Sequence, residues 1–470
     1  MNEIAAPQGD LHDQPSPQAK PGKFTQGSTL RHVVIMSAAG AIGLMAIFSV
    51  DLLNLFYISM LGSAMLTAAV GYASIALFFL LSSGIGLMIS VGALVSRALG
   101  ARQQKEAERL STAGMLYSFV IMSVLTLVLL LLAAPLLHAL GAQGETYDRA
   151  YRFLLIALPS TPLLGLGFAQ IAILRSVGDA SLSMWVTLAT GLFTAVADPL
   201  FIFVFDLGID GAAIVMGLTR IVLVGVGSYG VFYVHKLYAR PTMKDFRNYA
   251  MPLTKIALPA MLTNVATPFA NGYITSALAT HGDSAVAAWT IINRIIPFAF
   301  GASFSLSGAI GPIIGQNYGA GLFDRLRRAM CESLVLVMAY ILGVSVLLYL
   351  AQNYVVMVFS ATGETAELLR FYCTYIAATF VFIGMLFTAN AVFNNLDFPL
   401  TSTFFNWSRA TLGVIPFVYV FGDAYGAKGV MIGQGIGALV FGFVAVAVSF
   451  LLVNRLEKSA ALKVPSGGST

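Results

Sequence analysis

VGALVSRALGARQQKEAERL, residues 91–110, returns later in the chain as IGPIIGQNYGAGLFDRLRRA, residues 310–329. Both segments leave an apolar run through a glycine and enter a basic loop. Further matches lie on either side. Gly62 with Ala64 corresponds to Gly282 with Ser284, and LGIDGAAIVMG (207–217) resembles DAYGAKGVMIG (423–433). The chain therefore reads as two copies of one unit, offset by about 220 residues. Each copy holds six apolar runs, an even number, so both copies keep one orientation. Such a repeat is parallel, with its axis along the membrane normal.

The membrane itself follows from composition. Of 470 residues 58% are hydrophobic and only 10% charged, with a mean hydropathy of +0.84. A hydrocarbon core ~30 Å thick needs about 20 apolar residues per helix, and only helices or closed barrels satisfy the backbone there. The apolar runs predict helices near 33–58, 66–97, 111–134, 150–173, 181–205, 211–235, 253–280, 285–316, 330–351, 365–393, 399–422 and 427–453. The expected fold is an all-α membrane protein: twelve transmembrane helices in two six-helix lobes related by a pseudo-two-fold axis along the membrane normal. The expected organisation is a disordered cytoplasmic tail over 1–30, a first lobe over 31–235 and a cytoplasmic linker over 236–252. A second lobe over 253–455 and a cytoplasmic tail over 456–470 follow. The Pro- and Gln-rich start is not expected to form a signal peptide, since the apolar run behind it is too long.

Lys and Arg set the orientation. With the N-terminus inside, nineteen of them fall in the tails and inner loops, among them Lys20, Arg97, Arg102, Lys244, Arg325 and Arg455. Four fall outside: Arg149, Arg152, Arg370 and Lys428. The net charge of +5 is thus a loop charge rather than a nucleic-acid footprint. Cys331 and Cys373 lie in apolar runs and read as small core residues rather than a disulfide or metal pair. No Walker motif, no HExxH and no nucleophile with a base at depth is present, which argues against an enzyme.

Chemistry concentrates where charge lies at membrane depth. Asp51, in SVDLLNLFYISMLG (49–62), is the sole formal charge between Val33 and Ser96, and Asn54 follows one turn later. A carboxylate at such depth costs about 2.5–3.5 kcal/mol on insertion scales, so it needs a partner, a proton, a cation or water. Asp198 is the second deep acid. Pro199 behind it should kink the fifth helix, and Thr194 one turn earlier adds a hydroxyl on the same face. At the repeat offset Asp51 falls opposite Asn271, and Asp198 near Pro416, so both acids belong to the first half only. Two neighbouring carboxylates would titrate as a unit and take up a proton together. The plainer alternative is that each Asp bonds a neighbouring helix on its own. Arg220, Arg294 and Arg409 lie within spans, where they snorkel or pair with acids. Asn271 and Arg294 are the further candidates for substrate contact.

LFYISMLGSAMLTAAVGYAS (55–74), ILRSVGD (173–179), ADPLFIFVFDLGIDGAAIV (197–215) and IIGQNYGAG (313–321) together resemble the MATE (multidrug and toxic compound extrusion) family, with its DinF-like branch the expected one. The resemblance covers roughly residues 30–455. It implies twelve helices in two lobes with a V-shaped cavity, and antiport of cationic, often aromatic compounds against protons or sodium. The family's Asn-x-x-Asp in the first helix appears here reversed, as Asp51-x-x-Asn54. Thr194 stands where the family has Asn, Met216 where it has Thr, Phe153 where it has Tyr and Ala39 where it has Pro. These losses thin a sodium cage, so the proton is the preferred coupling ion.

The expected function is a monomeric inner-membrane antiporter exporting organic cations or amphipathic compounds. It would use no cofactor beyond H+, with Na+ at Asp51 and Asp198 the alternative, and no nucleic acid. Asp51, Asn54, Thr194 and Asp198 would bind the coupling ion, among membrane lipids and with a small-molecule substrate as partner. The alternatives are a flippase for lipid-linked saccharides and a non-transporting membrane receptor or assembly protein.

Overall fold

The computed structural model describes residues 21–463, with the side chains of residues 51, 55, 59, 64 and 463 outside that description. Twelve long helices carry the described residues. They are α1 (Thr29–Met60), α2 (Ala64–Gly100), α3 (Gln104–Ala139), α4 (Gly144–Ser176), α5 (Ala180–Val204) and α6 (Gly208–Val234). The second set is α7 (Met243–Ala279), α8 (Asp283–Gly319), α9 (Phe323–Val358), α10 (Gly363–Asn395), α11 (399–425) and α12 (427–463). Ten stretches among the described residues are long and apolar enough to cross a membrane. The longest of them, Pro399–Leu462, is broken at Gly426 (φ 63°, ψ −145°) and supplies both α11 and α12. α7 completes the dozen with 37 residues, although Pro252, Pro259, Pro268 and a charged first turn dilute its apolar character. The chain is a multi-pass membrane protein.

The duplication is written into the backbone at a spacing of 219. Left-handed residues recur in pairs: Arg102 and Gly321, Gly141 and Ser360, Gly144 and Gly363, Gly178 and Asp397. The 3-10 break Leu158–Ser160 in α4 recurs as Ala377–Thr379 in α10. Pro159 accounts for the first break but has no counterpart at Ala378. The shared break therefore belongs to the packing of the repeat rather than to proline alone.

Each lobe has its own apolar core. The first helix of each lobe begins on the other lobe. Phe24, Val33 and Met36 join the core of the second lobe, whereas Leu253 and Ala257 join that of the first. α1 accordingly packs on α8, and α7 on α2. Where α2 and α8 end, they cross at near backbone contact. A Cβ on Gly100 would lie 2.0 Å from the Gln316 carbonyl oxygen, and one on Gly319 would lie 2.1 Å from that of Arg97. Only glycine permits this approach.

Three expected boundaries need correction. Residues 1–20 and 464–470 of the expected tails lie outside the described residues. Residues 22–30, expected to be disordered, pack against the body: Lys23–Thr25 form a 3-10 turn and Phe24 is only 1% exposed. An apolar ring and a set of backbone hydrogen bonds to the second lobe hold it. The linker expected over 236–252 is already helical from Met243, because Thr242 caps that end by accepting from Asp245 N at 3.0 Å. The tail expected from 456 continues α12 to Lys463, with Glu457 Oε2 2.7 Å from Arg327 Nη1. Phe24 accepts a hydrogen bond from Arg325, so both described chain ends lie on one face, called here the terminal face.

The glycine crossing is open to test. Gly319→Ala should push against the α2 backbone, an overpacking cost of about 1–3 kcal/mol. Thermal unfolding of the purified protein in detergent should start several degrees lower. Gly343→Ala, where no atom beyond the chain neighbours and the helix's own backbone lies within 4 Å of the added Cβ, should not lower the midpoint.

Candidate functional site

The seam between α1 and α5 holds the deep acid. α5 runs regularly from Ala180 to Pro199, with its first turn capped by Asp179, whose Oδ1 accepts from Leu182 N at 2.9 Å. Pro199 has no N–H to offer the carbonyl of Ala195. Leu200–Val204 then continue as π turns, with Phe205 N donating to Leu200 O at 3.0 Å. Where the sequence predicts a kink, the winding changes from α to π.

Asp198 sits just before this change of winding and is 1% exposed. Asn54, on α1, donates from Nδ2 to Asp198 Oδ2 at 2.9 Å. The other carboxylate oxygen, Oδ1, is buried and has no hydrogen-bond partner among the described residues. A half-satisfied buried carboxylate is costly in its charged form. It is therefore suited to accept a proton or a small cation. Thr194 lies one turn away, but its hydroxyl is engaged: it is 2.9 Å from the Thr190 carbonyl and 2.7 Å from Thr219 Oγ1 on α6. The structure thus brings Asn54 and Asp198 together and ties Thr194 to α6 instead. The side chain of Asp51 lies outside the described residues.

Thr219 was not singled out from the sequence. Its signal was weak, a single Thr in an apolar helix three residues beyond Met216. It joins α6 to the α5 turn that precedes Asp198.

The remaining deep polar residues separate into structural and free ones. Arg220 Nη1 donates to the Ala157 carbonyl at 2.7 Å and contacts Ser160 Oγ, so it serves the break in α4. Arg409 donates from Nη2 to Thr267 Oγ1 at 3.1 Å, across the α7–α11 seam. Neither has an acid partner among the described residues, contrary to the pairing considered from sequence. Asn271 is half-buried and Arg294 exposed. A buried amide cluster in the second lobe was also missed: Ser402 Oγ and Asn406 Nδ2 both donate to Asn390 Oδ1 at 2.9 Å. Cys373 is buried as expected, whereas Cys331 is exposed.

The α1–α5 contact has a stability signature. Asn54→Ala removes the donor at Asp198 Oδ2, at a cost of about 1–3 kcal/mol. Asp198→Asn in that background should recover part of the loss, because a neutral amide is cheaper to bury than a carboxylate. Unfolding midpoints of the two single variants and the double variant in detergent would read this as non-additivity.

The sequence matches the MatE family twice, over residues 40–200 and 259–420, once in each lobe. A relative named as an FAD transporter in Shewanella oneidensis is 28% identical over 423 residues, covering 88% of this chain and 92% of that protein. The multidrug export protein MepA of Staphylococcus saprophyticus is 22% identical over 447 residues, 93% of this chain and 97% of the relative. Among solved structures, a mutant of the Vibrio cholerae MATE transporter VcmN superposes with a TM-score of 0.86 at 24% identity, covering 92% of this chain and 97% of that one. The same family recurs once per lobe, on a backbone that repeats itself at 219 residues. The chain belongs to the MatE family of membrane transporters and is not an enzyme.

Proposed function

We propose that this protein is a secondary active efflux antiporter, of the DinF-like branch, in the cell (inner) membrane. It exports organic cations or amphipathic compounds in exchange for protons as its two lobes rock, and the terminal face lies in the cytoplasm. The Lys and Arg excess of the inner loops supports that orientation. The observation that carries the reading is the Asn54–Asp198 contact at 2.9 Å, buried in the α1–α5 seam beside the π segment. In this reading Asp198 and Asp51 take the coupling ion. Asn54 holds Asp198 in place, and Thr194 with Thr219 fixes the turn beneath it. Protonation removes the charge that Asn54 partners, which loosens α1 from α5 and biases the lobes.

A proton suits the site better than sodium. A sodium ion needs several oxygen ligands, and the Thr194 hydroxyl is already engaged. MepA supports a multidrug substrate class. The relative named as an FAD transporter, similar along most of both chains, favours a second cargo, an aromatic nucleotide. Family membership sets aside the receptor reading, and competition by a lipid-linked saccharide would support the flippase one.

The test is uptake into vesicles of purified protein with proton and sodium gradients imposed separately. Ethidium and FAD serve as alternative cargoes. Gradient-driven transport should follow the proton arm and fall at least about tenfold in Asp198→Asn, where one protonation-competent group is gone. Wild-type rates in that variant would overturn the assignment of Asp198, and transport driven only by sodium would overturn the choice of ion.

A further inference from the structure

The ends of α2 and α8 reach across the lobe boundary in matching ways. Arg97, on α2, donates from Nε to the Asn395 carbonyl at 2.7 Å and from Nη2 to the Asn394 carbonyl at 3.2 Å, at the end of α10. Gln316, on α8, donates from Nε2 to the Ser176 carbonyl at 2.6 Å, at the end of α4. Residues 97 and 316 stand at the repeat spacing, as do 176 and 395. The terminal face is thus closed by one clasp made twice, each half built from one lobe's helix end and the other lobe's carbonyls.

The two halves are unequal. Arg97 also pairs with Asp397, Nη1 to Oδ1 at 2.6 Å. In the other half Gln316 is uncharged, and Gly178 stands where Asp397 would be. The segment beginning at Gly22 occupies this second half. Lys23 Nζ donates to the Gly178 carbonyl at 2.8 Å. The Phe24 ring covers Gly178, whose φ of +82° and close neighbours leave no room for a side chain: an added Cβ would lie 3.1 Å from Phe24 Cζ. Phe24 N donates to Gln316 Oε1 at 2.8 Å, so the one amide side chain joins α8, the end of α4 and the N-terminal segment. From the second lobe, Arg325 donates to the carbonyls of Phe24 (3.0 Å), Gln26 (3.1 Å) and Gly27 (2.9 Å).

We propose that residues 22–28 are a strap that holds the two lobes together at the terminal face. It supplies the cation and the apolar plug that the second half of the clasp lacks, and it must leave Gly178 and Gln316 before the lobes part there. This rests on the rocking of two lobes proposed above. The strap bonds the first lobe through Lys23 and the second through Phe24 and Arg325. Those contacts form only when the lobes are closed on this face, so they weight that state.

Two arms test it in the full chain. In the first, Cys331 and Cys373 are replaced by serine, and spin labels are placed at Gln104→Cys and Arg328→Cys, exposed positions on opposite lobes. With the strap intact the distance between them should be short and narrowly distributed. Lys23→Ala with Phe24→Ala should raise a longer-distance population about fivefold or more. An unchanged distribution in the well-folded variant overturns the proposal. This arm needs no cargo, so it stands even if every transport assay fails. In the second, a cleavable bifunctional maleimide joins Gln26→Cys to Arg328→Cys. Transport should stop, and return when the linker is reduced. Full transport with the strap tethered shows that it need not leave, which also overturns the proposal.

Discussion

A carboxylate inside hydrocarbon has to be neutralised or partnered, and the first lobe is arranged around that need. Asp198 is almost wholly buried, accepts one hydrogen bond from Asn54 and keeps its second oxygen unpartnered among the described residues. A purely structural acid would be expected to have both oxygens satisfied, since each missing bond at a buried polar atom costs about 1–3 kcal/mol. The incomplete satisfaction is tolerable if the second oxygen carries a proton or a cation for part of the cycle. Pro199 and the π segment fix where this happens, because they end the regular winding of α5 one residue beyond the carboxylate.

The duplication makes the asymmetry informative. The α1–α5 seam has its counterpart in the α7–α11 seam of the second lobe. There Thr403 donates to the Pro259 carbonyl at 2.8 Å and lies 3.0 Å from Thr263, and the buried charge is Arg409. One seam thus carries an acid and its repeat carries a base. The backbone of the two copies is alike down to its left-handed residues and 3-10 breaks, yet the chemistry has diverged. An arginine stays charged at any physiological pH and cannot take up a coupling proton. Of the two buried charges, Asp198 and Arg409, the carboxylate is the one able to take up a proton.

Much of this was legible in the sequence, for identifiable reasons. Twelve helices followed from length and hydropathy, and the parallel repeat from residues 91–110 and 310–329. Asp198 and Pro199 stood out because a charge and a proline are both rare at depth. Partnerships were less legible. Asn54 meets Asp198, as the sequence grouping implies, but Thr194 turns toward Thr219, since facing a neighbour on a helix does not say which helix that neighbour faces. The described end of the tail, residues 22–30, departs from its expectation for a different reason. Composition reads residues 1–30 as polar and unstructured, but within that described end a single phenylalanine with backbone hydrogen bonds is enough to order a short segment. No window average registers that. The clasp was half visible: the repeat put Arg97 and Gln316 in register, but their shared target, a carbonyl at a helix end, has no side-chain signature.

The distance between the acid and the terminal face bears on how the two communicate. α1 starts at Thr29, directly behind the strap, and passes Asn54 after 25 residues, about 38 Å at 1.5 Å per residue. α5 starts at Ala180, two residues beyond Gly178, and carries Asp198. The same two helices therefore meet at the acid and run to the strap. Between these ends α1 packs along α8 of the second lobe. Ser305 Oγ donates to the Ser37 carbonyl at 3.0 Å, and the rings of Phe48 and Phe298 stand 6.4 Å apart. A continuous helix transmits a tilt without a chain of side-chain rearrangements. Releasing Asn54 from Asp198 changes how α1 leans on α5, and the far end of that lever is the joint with Phe24, Gly178 and Gln316. In the proposed exchange of protons, coupling between ion and lobe closure would require only two rigid helices and a seam whose polarity changes when Asp198 takes up a proton.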